Sequence, residues 1–346
     1  MIYVIRSSEQ NAARGNDMET RALLHLLNFR DELGEIEGFA IDFFNDVTGI
    51  DSMALHLYDI QSKASISGAK DIGEELVTLF KNYVSEFKDF FIEEVLFLGG
   101  VRKNVFEDEE LSEFKFADLR LEARQIIKQS LREECLKKGY INNEDVTEEN
   151  LDGFLQNVVF VVAKDTIEEY VAPLVRSSKA IVPTSNDLNA IFNEIRKAQV
   201  GIKTRTKVEG VEIEHPYEAY NYSRVLKRSD IELLVINRLI NRNPLEAGIP
   251  TCFIPIYNKL QANSPEDVDD KIEECQNSLA RQMFASSEAT AFWGLLNAIV
   301  SGIDGNPSAD VESIYQTIDP AISRACKFLD VLSVQYFISI VKDGLK

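Results

Sequence analysis

Gln61 and Lys63 close the strand-like run Leu55-His56-Leu57-Tyr58-Asp59-Ile60-Gln61-Ser62-Lys63 and stand two residues apart. Residues two apart in an extended strand share a face, so an acyl oxygen and an ammonium group come side by side. Such a pair suits hydrolysis of a phosphodiester: the oxygen helps to hold a divalent metal ion, and the lysine steadies a water molecule or the developing charge. Folding the chain back through a turn at 48–53 sets Asp46 opposite Gln61, close enough for two oxygens to share one ion. Asp51 would need a turn centred on His56, inside the apolar run 54–58, so Asp46 is the preferred partner and Asp51 the fallback. Asp59 shares the Gln61 face and could add a ligand, one pair further from Asp46. The bland alternative is a half-buried edge strand whose Asp59, Gln61 and Lys63 face solvent.

The elements around these residues follow from periodicity. Residues 17–33 read as a helix with Ala22, Leu23, Leu26, Leu27 and Phe29 at helical spacing. Glu19 falls on that apolar stripe, either as an N-terminal charge stabilised by the helix dipole or as a functional group turned inward that could supply another oxygen. Gly38 to Thr48 reads as one strand and Met53 to Ser65 as the next. After Ser67-Gly68 comes a long amphipathic helix with Leu76, Leu79, Phe80, Tyr83, Val84 and Phe87 as its stripe, then a buried strand from Phe90 to Leu98. The order helix, strand, strand, helix, strand predicts a mixed α/β sheet with a hairpin at its centre.

Beyond residue 105 helices dominate: 117–138, a short one capped by Thr166 and Glu169, then 187–200, 229–242, 265–283 with Ser264-Pro265 as its start, 286–302 and 309–343. Val158 to Ala163 is a lone buried strand, and a hairpin is expected at 202–214. The polar stretch Ser177 to Asp187, with Pro183, marks a junction between domains 1–180 and 181–346.

Composition bounds the possibilities. With 346 residues and 45% apolar content the chain can build two cores. No apolar run reaches the ~18 residues of a membrane span, and the first residues lack the order of a signal peptide. Cys135, Cys252, Cys275 and Cys326 are far apart without metal-ligand spacing, so they read as buried thiols of a cytoplasmic protein. The net charge of −20 repels DNA as a whole, so any action on DNA needs a local basic surface, self-assembly or a partner's platform. One candidate surface is Lys203, Arg205 and Lys207, alternating on a strand face and followed by Tyr217, Tyr220, Tyr222, Arg224, Lys227 and Arg228. Its bland counterpart is a solvated hairpin neutralised by Glu209, Glu212, Glu214 and Glu218. His25, His56 and His215 have no mutual spacing of a ligand set, and Trp293 with Phe292 reads as helix core.

Asn45-Asp46-Val47-Thr48-Gly49 followed by Asp59-Ile60-Gln61-Ser62-Lys63 resembles the PD-(D/E)xK restriction-endonuclease superfamily, in the form with Gln replacing the usual acid. From Arg14-Gly15 and Glu19 through the Gln-x-Lys strand and the helix after it, the chain is similar to the nuclease domain of bacterial anti-phage effectors. Those effectors are the CD-NTase-associated endonucleases and the nuclease subunit of Lamassu-type systems, and the shorter remainder after residue 180 favours the latter. The resemblance implies an α/β N-terminal restriction-endonuclease-like domain, a mixed sheet flanked by helices, followed by a mainly α-helical C-terminal control domain. It implies that Asp46 and Gln61 hold Mg2+ (or Mn2+), that Lys63 positions or activates the attacking water, and that Glu19 is the auxiliary acid. It further implies action on double-stranded DNA under the control of SMC-like partner proteins; the acidity itself adds the expectation that the active form is a homo-oligomer. The competing expectation is a non-catalytic interaction subunit that keeps the fold, since an amide at position 61 is a weaker metal ligand.

Overall fold

The structure, a computed structural model, describes residues 2–6, 17–30, 36–106, 111–176, 180–203, 205–246, 248–263 and 267–346. Arg14-Gly15, the helix tail at 31–33, the start of the junction at 177–179 and Ser264-Pro265 lie outside the described residues. The chain forms two compact units, one of Met1–Val171 with Phe192–Ile231 and one of Ala172–Ile191 with Glu232–Lys346. A single cut at residue 180 therefore does not divide it, because residues 192–231 return to the first unit.

The first unit contains β1 (Tyr3–Val4), α1 (Asp17–His25, extended by a wide turn over Leu26–Arg30), β2 (Ile36–Ile41), β3 (Val47–Asp51) and β4 (Leu57–Ser67). There follow α2 (Ala69–Glu75), α3 (Val77–Tyr83), β5 (Phe91–Val101), β6 (Glu113–Lys115), α4 (Leu121–Lys137), α5 (Glu148–Asn157), β7 (Val159–Val162) and α6 (Ile167–Val171). Helix α7 (Ser185–Lys203) ends in this unit, and β8 (Glu212–Ile213), β9 (Val225–Lys227) and the first residues of α8 (Arg228–Ile240) belong to it. Seven strands make one mixed sheet in the order β6-β7-β5-β4-β3-β2-β9. The β2-β3-β4 meander is antiparallel, and β4, β5 and β7 run parallel.

Helices flank this sheet on both faces, which follows from alternation along the strands. Leu96 and Leu98 of β5 pack with residues of α2, α3, α4 and α5. Phe97 between them points the other way, 5.4 Å from the His25 ring of α1 and 6.4 Å from Tyr170 of α6. A mixed sheet flanked by helices and a largely helical C-terminal region is the layout expected from the sequence.

Several boundaries differ. The segment 38–48 is two strands joined by the bend Asp42–Asp46, not one, and the turn after β3 lies at 52–56. The bend carries Phe43 and Phe44 into a core with Tyr3, Ile50 and Leu57, so its composition imitates a strand. The helix after Gly68 breaks at Leu76 into α2 and α3. Strand β7 is not alone but pairs with β5 and β6, and β4 is central rather than an edge. Among the described residues of 202–214 no hairpin forms: α7 runs to Lys203, and β8 pairs with β1.

The second unit is built from most of α8, α9 (Ile254–Asn263), α10 (Val268–Phe284), α11 (Ala289–Gly305), α12 (Val311–Thr317), α13 (Pro320–Ala325) and α14 (Val331–Gly344). The expected helix 309–343 is thus three helices, each opened by an aspartate cap: Asp310, Asp319 and Asp330. Phe292 and Trp293 are buried, and Phe292 stacks on Phe337 of α14 at 5.3 Å. Cys135, Cys275 and Cys326 are buried thiols, while Cys252 is partly exposed. Among the described residues no helix is long and apolar enough to cross a membrane.

Candidate functional site

The β3-β4 hairpin carries the register that the sequence suggests. Val47 lies opposite Ile60 and Thr48 opposite Asp59, so the next step sets Asp46 level with Gln61. Asp46, however, sits in the bend just before β3, where the pleat no longer dictates side-chain direction. Its Oδ2 accepts from the Ser62 backbone N–H at 2.8 Å and from the Ser62 hydroxyl at 2.7 Å. Ser62 alternates with Gln61 and Lys63, and so faces the α1 side of the sheet with Phe97.

On that side the structure gathers Glu19, Asp42, Asp46 and Lys203. The Lys203 ammonium is ion-paired with Glu19 and lies 3.1 Å from Asp42. Asp42, which takes left-handed backbone (φ 47°) at the tight bend, belongs to the residue types that tolerate it. Burial, followed by the nearby Glu19 charge, pushes the Asp46 carboxyl up to about 7 against the pull of its two Ser62 bonds. Burial also raises Glu19, partly offset by Lys203. Three carboxylates thus share one ammonium in a poorly solvated place. Asp42, Ser62 and Lys203 were missed as site residues: Asp42 lies inside a segment that reads as strand, and Lys203 reads as part of a basic hairpin.

Gln61 and Lys63 are turned to the other face. Gln61 Oε1 accepts from the Thr78 hydroxyl of α3 at 3.1 Å, and Lys63 is ion-paired with Glu75 of α2. Asp59 continues this row: its carboxylate accepts from Asn82 of α3 at 2.8 Å, from Thr48 at 2.6 Å and from Asn45. Asp59, Gln61 and Lys63 thus meet Asn82, Thr78 and Glu75, residues four and three apart on one helical face. They are engaged by the helical layer instead of forming a solvated row, Asp59 buried and Gln61 and Lys63 partly exposed. The four site residues expected from the sequence are therefore divided, Glu19 and Asp46 towards α1, and Gln61 and Lys63 towards α2 and α3.

Asp59 is not placed as a ligand. It is fully buried, and burial raises its carboxyl although three donors and the buried Lys81 pull it down. Glu94 of β5, level with Asp59, is raised well above the carboxylate range by burial and by Asp59, and among the described residues its Oε1 has no hydrogen-bond partner. Tyr3 completes this interior knot by donating to Asn82 Oδ1 at 2.6 Å. Asp51 closes the β3-β4 turn, its Oδ1 accepting from the Leu55 and His56 N–H groups at 2.7 and 3.2 Å. That is a turn-forming role.

The basic surface expected at 203–228 is largely committed elsewhere. Lys203 is in the carboxylate cluster, and Arg224 is buried with its guanidinium on the Thr206 carbonyl. Tyr220 and Tyr222 pack against the core of Phe43 and Phe44, leaving Arg205, Lys207, Tyr217 and Lys227 exposed.

Oxygen-only donors such as Glu19, Asp42 and Asp46 suit a hard divalent ion, and their excess negative charge is what such an ion relieves. Glu19 and Asp46 supply only the donor type; Gln61, bonded to Thr78 across the sheet, does not join them. Among the described residues no group of three or more His, Cys, Asp or Glu side chains is arranged to hold a metal. No protein-family model, no curated protein and no solved structure matches the chain.

Proposed function

We propose that the chain is a metal-dependent endonuclease acting on double-stranded DNA, the effector of a bacterial anti-phage defence system of the PD-(D/E)xK type. The observation that carries this reading is Asp46 held on the Gln61-Ser62-Lys63 strand by Ser62, its carboxyl raised by burial and then by the Glu19 charge. Glu19 and Asp46 would hold Mg2+ (or Mn2+), which when bound polarises a phosphoryl oxygen and stabilises the leaving oxygen. Ser62 fixes the Asp46 carboxylate through two hydrogen bonds, which limits how far that ligand can swing. Lys63 would steady the attacking water after leaving Glu75, a half-exposed pair that costs little to break. The acidic chain is held idle by partner proteins, SMC-like by resemblance, or by its oligomeric state until a trigger assembles it on DNA.

A second reading is a non-catalytic interaction subunit that retains this fold. It is favoured by one observation: Gln61 and Lys63 are both engaged by the helical layer on the face away from Asp46. A plasmid-nicking assay with and without Mg2+ separates the two. Nicking that requires Mg2+ and is lost in Asp46→Asn supports the endonuclease; no nicking under any partner or assembly condition supports the interaction subunit.

A further inference from the structure

Lys81 of α3 is 7% exposed, yet among the described residues its ammonium makes no hydrogen bond or ion pair. The other deeply set lysines are bonded: Lys342 donates to the Pro307 and Ala309 carbonyls, and Lys203 meets Glu19 and Asp42. An ammonium has three donors to satisfy, so a buried one left bare is costly in its charged form. What Lys81 meets instead is the Tyr3 ring, whose centroid lies 5.0 Å from Nζ. That ring is fixed in place: its hydroxyl donates to Asn82 Oδ1, and Phe44 and Phe87 pack against it at 5.5 and 5.0 Å. Burial brings the ammonium down to about 8, the nearby Arg6 charge adding to the fall while Asp59 and Glu209 oppose it.

We propose that Lys81 is a nucleophilic amine that condenses with a small aldehyde to form an imine, at a site separate from Asp46. A desolvated lysine beside another cation is the arrangement that frees an amine for this chemistry near neutral pH. The Nζ lone pair attacks the carbonyl carbon, the carbonyl oxygen leaves as water with the two amine hydrogens, and a carbon–nitrogen double bond joins Lys81 to the aldehyde. Protonation of the imine nitrogen restores the cation that faces Tyr3 and Asp59. That cation selects the electrophile. Carbon dioxide would turn the same amine into an anionic carbamate and set a second negative charge beside buried Asp59, which an iminium avoids. The narrow exposure of Lys81 limits the aldehyde to a small, uncharged one.

The test treats the full-length wild type with glycolaldehyde and cyanoborohydride at pH 7, which reduces the imine to a stable secondary amine, and reads the rate at each lysine by peptide mass spectrometry. Lys81 should react about tenfold or more faster than the exposed Lys70, Lys259 and Lys327, since an ordinary lysine holds its proton to about 10.4. Its rate should level off above about pH 8 while theirs still climbs. Arg6→Gln, a change at an exposed residue, should slow Lys81 at pH 7 and leave the other three unchanged. With 13C-bicarbonate in place of the aldehyde, no carbamate should form at Lys81. A rate at Lys81 equal to or below that of the exposed lysines overturns the proposal, and so does a rate that rises only when urea opens the fold. A carbamate at Lys81 overturns the choice of aldehyde.

Discussion

Lys63 of β4 is paired with Glu75 of α2, on the face of the sheet opposite the one where Ser62 holds Asp46. The Gln-x-Lys pair and its aspartate are thus adjacent in register yet presented to different layers of the fold. Cleavage by all three groups would need Lys63 to exchange Glu75 for the reacting phosphate.

Lys63→Ala tests that exchange. The pair is partly exposed on both sides, so its loss should change stability by no more than about 1 kcal/mol. Mg2+-dependent cleavage should vanish while the thermal melt stays close to wild type. A folded Lys63→Ala protein that still cuts DNA at the full rate removes Lys63 from the reaction.

Stability should depend on pH through Asp46. Its folded-state carboxyl is raised from 3.8 to about 7, so between those values the folded chain binds a proton that the unfolded chain has released. Stability therefore falls as pH rises through that window, and Asp46→Asn should flatten the fall while abolishing cleavage. Melting temperatures across pH 4–8 check the sign; a wild-type melt that rises through the Asp46 window contradicts it. Asp51→Asn, which keeps an acceptor for the Leu55 and His56 amides, should retain most activity.

Asp59→Ala should behave as an interior mutation. Three side-chain donors lose their acceptor and the buried Lys81 loses a nearby opposite charge, a loss of about 3–5 kcal/mol by analogy with broken buried pairs. Chemical denaturation should show it, with Mn2+ binding intact in whatever fraction folds. A near-neutral effect on stability together with lost Mn2+ binding would return Asp59 to the metal site.

Truncation probes the return of residues 192–231. A fragment ending at residue 180 lacks β9 and β8, which leaves the β2 edge around Phe39 and Ala40 unpaired. Exposed apolar edges invite aggregation, so this fragment should be insoluble while one ending at residue 231 melts cooperatively. Equal solubility of the two fragments would show that β9 is dispensable.

Element types were legible where periodicity was long, as in α1, β4, α4 and α11. The β2-β3 turn was hidden because Phe43 and Phe44 are buried inside it, so the apolar run conceals the reversal. The hairpin register could be read from the turn length, and it holds between β3 and β4. What could not be read is the direction of Asp46, since register fixes only residues inside the ladder. The part of Lys203 depends on a contact with Glu19, far away in the sequence, which no local pattern encodes.

The buried knot around Asp59 has a bearing on how the sheet finds its pairing. A two-residue slip between β3 and β4 would keep every side chain on its own face, so alternation alone does not forbid it. The slip would carry Asp59 away from Thr48 and Asn45 and strand a carboxylate in the interior with too few donors. The knot works as a checksum on the hairpin: only one alignment closes it, and misaligned chains are left with an unsolvated charge.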